Sequence, residues 1–200
     1  MIKKTCTNII LTLWLFLLMA TQSAPADDTI VPEYQIKAAF LYNFLKFVEW
    51  PKAKIGESNE PIIVSTIGQD VFQDAFDSIK NKTLEGRKIA IKKFEGIEEL
   101  QKADSKKKYS QHPQIETIRK SHLLFVCPSE KKYIADILKS VKGHKILTVA
   151  DTQSFLEAGG IINLMMEEKK VRFEINMVSA KEADIQIRSQ LLRLAKKVIQ

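Results

Sequence analysis

The sequence predicts an α/β fold: a single domain whose largely parallel sheet is flanked by helices and finished by a C-terminal β-hairpin and a closing helix. Three observations predict it. Short, β-branched apolar runs recur along the chain, each closed by turn chemistry. Helix-like segments lie between them, and no apolar run after residue 26 is long enough to span a membrane.

The first element is a targeting segment rather than part of the fold. Lys3 and Lys4 precede an uncharged apolar run from Ile9 to Ala20, and Ala24-Pro25-Ala26 offers small residues in an A-x-A arrangement. Residues 1–26 therefore read as a secretory signal peptide, and residues 27–200 as the mature, exported domain. Cys6 precedes the apolar run, so it is not a lipid-attachment cysteine. Cleavage removes two of the 31 basic residues and none of the 24 acidic ones, which leaves a net charge of +5. Cys127 is then the sole cysteine, and no intramolecular disulfide can form.

Tyr34–Trp50 is punctuated by Lys37, Asn43, Lys46 and Glu49, the pattern of a helix with a broad buried face. Phe40, Phe44, Phe47 and Val48 fall on one side, with Leu41 and Leu45 widening it. Glu33 and Lys37 form an i,i+4 pair, and Pro51 stops the helix. An aromatic stripe of this kind packs into a core as a rule. The alternative is a partner-binding face on Phe40, Phe44, Phe47 and Trp50, joined by Leu191.

Ile62–Ile67 and Ile89–Phe94 follow as strands. Asp70 is placed to cap a helix over Val71–Ile79. Gln101–Gln114 is polar and aperiodic, and reads as a mobile insertion. His122–Cys127 ends at Pro128-Ser129, with Ser129 as N-cap of a helix over Glu130–Val141, and Ile146–Ala150 runs into Asp151. Ile161–Met166 and Val171–Asn176 flank the charged tip Glu167–Lys170 as a hairpin. Ile185–Ile199, with Ile187, Leu191, Leu194 and Val198 on one face, reads as the closing helix.

Chemistry-bearing patterns are sparse. His112, His122 and His144 stand at no metal-ligand spacing, and the fingerprints of serine hydrolases and nucleotide-binding loops do not occur. No catalytic residue, metal or cofactor is assigned. The carboxyl ends of parallel strands form a crevice that takes ligands in doubly wound folds. Here that edge would carry Gly68, Gln69, Asp70, Pro128, Ser129, Asp151 and Thr152. Asp151, Arg172 and Ser129 are the candidate contacts for a small anionic ligand, with Arg87 as a further basic residue; helix capping competes as the role of Asp70 and Asp151. The lysine pairs are interspersed with acids, which argues for a solvated face rather than nucleic acid.

The sequence also resembles a known family, the YfiR-like periplasmic proteins of Gram-negative bacteria. The resemblance rests on the run Tyr34–Pro51 (YQIKAAFLYNFLKFVEWP), then His122–Val126, Ile146–Asp151 with Phe155, Gly159–Ile162, Val171–Asn176 and Ser189–Ala195. It implies an α/β periplasmic domain without catalytic activity. It further implies binding to the periplasmic part of an inner-membrane diguanylate cyclase, whose release raises cyclic di-GMP and promotes biofilm. Ser121 stands where many members have a cysteine, so the disulfides of those members cannot form. A homodimer, a small-ligand sensor module and an exported hydrolase resting on Asp151 or Asp70 stay open beside this reading.

Overall fold

A computed structural model describes residues 30–55, 60–104 and 107–200. The expected signal peptide lies outside the described residues. Residues from Val31 to Gln200 form one compact unit.

The chain opens with α1 (Ile30–Phe47) and β1 (Val48–Glu49), then the single turn α2 (Lys52–Ile55) and the strand β2 (Ile62–Ile67). A 3-10 helix (Gln73–Ser78) leads to β3 (Thr83–Leu84) and β4 (Arg87–Phe94). Helices α3 (Ile97–Ala103) and α4 (Ile115–Ile118) precede β5 (Leu123–Val126). A second 3-10 helix (Pro128–Tyr133) runs into α5 (Ile134–Val141), followed by β6 (Leu147–Ala150), β7 (Ile162–Glu167) and β8 (Lys170–Asn176). The end is made of α6 (Met177–Glu182), β9 (Gln186–Ile187), α7 (Ser189–Leu192) and β10 (Lys197–Ile199).

The sheet order is β10-β8-β7-β6-β5-β2-β4-β3. Five neighbouring strands, β4-β2-β5-β6-β7, are parallel, in the doubly wound order 2-1-3-4-5 when counted along the chain. The strand order reverses between β2 and β5, so those two strand ends define the switch point. Strands β5 and β6 are buried along their whole length because both faces are covered. On one face, Ile62, Val64, Leu123, Phe125, Leu147 and Val149 meet α1. On the other, Ile67, Leu124, Val126 and Ala150 meet α3, α4 and α5.

The buried face of α1 is centred on Ala38, Leu41, Phe44 and Leu45, each at most 1 % exposed. Phe44 stacks edge-on against Phe173 of β8. The partner face expected on Phe40, Phe44, Phe47, Trp50 and Leu191 is therefore corrected: Phe44, Trp50 and Leu191 are buried, and Phe40 and Phe47 are half-buried flanks of the same packing. Helix α1 stops three residues before Trp50, because Val48 and Glu49 pair with Ile187 and Gln186.

That pairing also reshapes the chain's end. The expected closing helix is reduced to the turn α7, with β9 before it and β10 after it. Lys197–Ile199 instead adds a parallel strand to β8. Edge hydrogen bonds and the β-branched pair Val198-Ile199 outweigh the helical period, and Leu194 is left 66 % exposed. The hairpin forms as expected, with Glu168 and Lys169 both at positive φ, the geometry of a two-residue type I′ turn.

Two further expectations shift. The polar stretch after α3 is anchored: Tyr109 packs on the core, and the buried His112 bonds the Glu95 carbonyl through Nε2 (3.1 Å). Ser129 is not an N-cap. Its segment starts as a 3-10 helix capped at Cys127 with Pro128 in the first turn, and its hydroxyl is used elsewhere.

His122 opens β5 from a buried position, where Nδ1 accepts the Ile63 N–H (3.1 Å) and Nε2 has no hydrogen-bond partner. Burial, and then the charges of Lys54 and Arg87, pull its pKa down to about 4. A histidine depressed in the folded state favours folding while neutral. That contribution is complete above its unfolded value near 6.5 and is lost as the pH falls toward 4. Between pH 7 and pH 4, urea unfolding should show the wild type losing about 3 kcal/mol more than His122→Gln. Parallel pH profiles would remove His122 as the cause.

Candidate functional site

At the strand ends where the sequence predicts a crevice, the chain packs its own side chains together. Asp151 directly follows β6, and the alternation of the strand turns it toward α1. Lys37 of α1 meets it, Nζ to Oδ2 at 2.5 Å, and the Tyr34 hydroxyl donates to the same oxygen at 2.9 Å. The two charged side chains are each only 4 % exposed. Glu33 approaches the same ammonium at 2.5 Å, the i,i+4 pair read from the sequence, and Lys37 lies 4.3 Å from the centre of the Tyr34 ring. Burial, and then the Asp151 charge, push the Tyr34 phenol above its ordinary range. The phenol therefore acts as a hydrogen-bond donor only.

Asp151 Oδ1 and Thr152 Oγ1 are buried without hydrogen-bond partners, while the Thr152 N–H donates to Asn163 Oδ1 (3.1 Å). Cys127, at the end of β5, is buried beside this cluster. Burial and then the Asp151 charge push its thiol up to about 12, which makes it an inert core residue.

A second buried carboxylate closes the switch point. Glu130 is fully buried, accepts the Ile97 N–H at the start of α3 (2.8 Å) and receives the Ser129 hydroxyl (3.1 Å). Burial pushes its carboxyl up. Gly68 sits at φ +109° in contact with Ser129, Cys127 and Glu130, and Gly96 packs against the Glu130 carboxyl; a Cβ at either position would collide with these groups. Sequence reasoning missed Glu130. The signal was a glycine just past each of two parallel strands, which marks close backbone approach.

The predicted contacts do not converge. Ser129 Oγ accepts the Gln69 N–H (3.0 Å), so it belongs to the Glu130 cluster. Arg172 is exposed on β8 and points away from α1, since its neighbours Val171 and Phe173 fill the α1 side. The cation at Asp151 is Lys37. Arg87 starts β4 at the opposite edge, buried, donating to the Ile55 carbonyl at 2.5 Å. Asp70 caps the first 3-10 helix by accepting from Phe72 and Gln73 and pairs with Lys93 at 2.6 Å. Ser121 shares a fully buried hydrogen bond with Ser65, Oγ to Oγ 2.6 Å. Among the described residues no group of three His, Cys, Asp or Glu side chains could hold a metal ion, and no helix is long and apolar enough to cross a membrane.

Fold and site together define a doubly wound α/β domain whose crevice is closed from within. The chain belongs to the YfiR/HmsC-like family (DUF4154), whose model matches residues 34–196. No curated protein matches the sequence. Among solved structures it is similar to a conserved domain protein from Vibrio cholerae O1 biovar El Tor, at 12% identity and a TM-score of 0.52, covering 82% of this chain and 60% of that one. It is also similar to the ABC domain from Streptococcus pneumonia in complex with L-Trp, at 10% identity and a TM-score of 0.51, covering 83% and 60%. At such identities the likeness is one of fold, and the chain spans about 60% of the length of these structures.

Removing one partner of a buried ion pair strands the other charge, which costs about 3–5 kcal/mol. Asp151→Asn and Lys37→Met should each destabilise the protein by that order in chemical denaturation. The double variant should recover much of the loss. A double variant as unstable as the sum of the singles would mean that the two side chains act independently.

Proposed function

We propose that the protein is an exported periplasmic regulator that binds the periplasmic region of an inner-membrane signalling protein, a diguanylate cyclase, and holds it inactive. Residues 1–26 act as its signal peptide, and residues 27–200 as the regulatory domain. Loss of the contact raises cyclic di-GMP and favours biofilm. The observation that carries this reading is membership of the YfiR/HmsC-like family across residues 34–196.

The chemistry of the strand ends supports binding over catalysis. Asp151 and Asp70, the two carboxylates on which a hydrolase would rest, are engaged by Lys37 and Lys93. For Asp151 the pair is buried, which keeps the carboxylate out of reach of a substrate, while Asp70 is further tied to the backbone N–H groups of Phe72 and Gln73. Members of the family act as regulators rather than enzymes.

Contact with a partner needs exposed apolar surface, and the chain's end supplies it. Leu194 is 66 % exposed and Val178 on α6 is 47 % exposed. Beside Val178 runs an open groove of about 720 Å³ lined by Met177, Ile185, Ile187 and Gln200. A contiguous apolar patch rimmed by polar side chains marks a protein contact, and the groove beside Val178, with Lys181 and Asp184 in its lining, has that form.

Deleting the gene in a strain that expresses the neighbouring cyclase should raise cyclic di-GMP and surface attachment. Complementation with Leu194→Asp should restore neither, although its thermal unfolding matches the wild type. Unchanged cyclic di-GMP on deletion would overturn the regulatory reading. Full complementation by Leu194→Asp would move the contact away from this surface.

A further inference from the structure

The opposite edge of the sheet, where the parallel strands begin, carries an open pocket of about 620 Å³. It gathers charge of one sign from parts of the chain far apart in sequence. Lys54 comes from α2, Arg119 and Lys120 from the end of α4, and Lys145 from the turn before β6, with His122 and His144 between them. Among the described residues, Glu60 is the one carboxylate in the lining.

The cations are incompletely matched. Arg119 pairs with Glu116 at 2.5 Å and Lys145 with Asp184 at 2.9 Å, but those carboxylates are 78 % and 66 % exposed, and such surface pairs are weak. Lys120 is exposed and has no ion-pair partner among the described residues. Lys54 is half-buried and donates to the Arg119 carbonyl (2.9 Å), and burial lowers its amine to about 8. Both imidazoles register the same field: His122 is held down by burial and then by Lys54 and Arg87, and His144 by burial and then by Arg119 and Lys54. Nδ1 of His122 accepts a backbone N–H, so its proton sits on Nε2, on the side of the ring that faces the Lys54 backbone.

We propose that this pocket is a binding site for a small phosphate-bearing anion, held by Lys54, Arg119, Lys120 and Lys145 at the amino edge of the sheet. The volume falls within the range of small-molecule sites and admits a phosphate ester of sugar or nucleotide size. Ammonium and guanidinium groups that three segments bring to one pocket fit the several oxygens of a phosphate better than a single carboxylate does. The site lies on the edge opposite Asp151 and stands independently of the membrane partner.

Calorimetry of the purified protein with inorganic pyrophosphate at low ionic strength tests it. Saturable binding is expected, with Lys120→Glu, Lys145→Glu and Lys54→Met each weakening it at least ten-fold. Lys181→Glu, which changes the same charge on α6, should bind as the wild type does. In NMR spectra the ring resonances of His122 and His144 should move with pyrophosphate, and those of His112 should not. No saturable heat at millimolar pyrophosphate overturns the proposal, and so does an equal loss from Lys181→Glu. Should Lys54→Met fail to fold, the two more exposed variants decide. A free phosphate ester and a lipid headgroup share this chemistry: pelleting with phosphatidylglycerol vesicles that pyrophosphate reverses assigns the headgroup, and calorimetric binding without pelleting assigns the free ester.

Discussion

The architecture depends on one buried ion pair, Lys37 with Asp151, which joins the first helix to a central strand. A lysine in the middle of an apolar helix face is costly to bury unless its charge is matched, and so is an aspartate at the mouth of a closed crevice. Each makes the other tolerable. Tyr34 supplies a hydrogen bond and Glu33 a second negative neighbour, so the ammonium is held from both sides. Because the pair is specific in direction, it also sets where along the sheet α1 lies, which apolar contacts alone would leave loosely defined. The rest of the α1 packing, from Leu41 to Phe44 against Phe173, follows from that placement.

The two edges of the parallel sheet are thereby given opposite characters. At the carboxyl edge the acidic side chains are engaged by the chain itself: Asp151 and Glu130 in the interior, by Lys37 and the α3 backbone, and Asp70 at the surface, by the start of the first 3-10 helix and Lys93. At the amino edge, basic side chains gather around an open pocket with few carboxylates. This reverses the usual polarity of doubly wound domains, whose ligands sit outside the carboxyl ends of the strands. Backbone donors at the switch point, which a ligand would use, are here taken by Ser129 and Glu130.

Much of the fold was legible because parallel strands buried on both faces are short, apolar runs with sharp ends. Ile62–Ile67, His122–Cys127 and Ile146–Ala150 have that form, and the tip Glu167–Lys170 marks the hairpin. The Glu33–Lys37 pair and the Asp70 cap were legible because they are local. What escaped was long-range. Asp151 was recognised as a strand-end residue, but its cation lies 114 positions away, and periodicity cannot choose between Lys37 and Arg172. The last fifteen residues have a helical period yet keep only the turn Ser189–Leu192 as helix, because β1 and β8 offer unpaired edges to Gln186–Ile187 and Lys197–Ile199. The lysines of the amino edge look like a solvated scatter in one dimension. Only the parallel topology brings the starts of β5 and β6 beside α2 and α4.

The closure of the crevice is a permanent part of the fold rather than a gate. Helix α1 is fixed near its start by Lys37 and near its end by β1, where the Arg188 N–H donates to the Phe47 carbonyl (2.9 Å) and its Nε to Glu49 (2.7 Å). Lifting α1 would expose Leu41, Phe44 and Leu45, each worth roughly 1.5–3 kcal/mol of burial, and would break a buried ion pair worth about 3–5 kcal/mol to disrupt. A ligand that inverts an equilibrium from 1:99 to 99:1 must supply about 5.5 kcal/mol of differential affinity. The helix is therefore held by more than an ordinary small ligand at the crevice would return. The surfaces that stay open with α1 in place lie elsewhere, among them the exposed Val178 and Leu194 and the pocket at the basic amino edge.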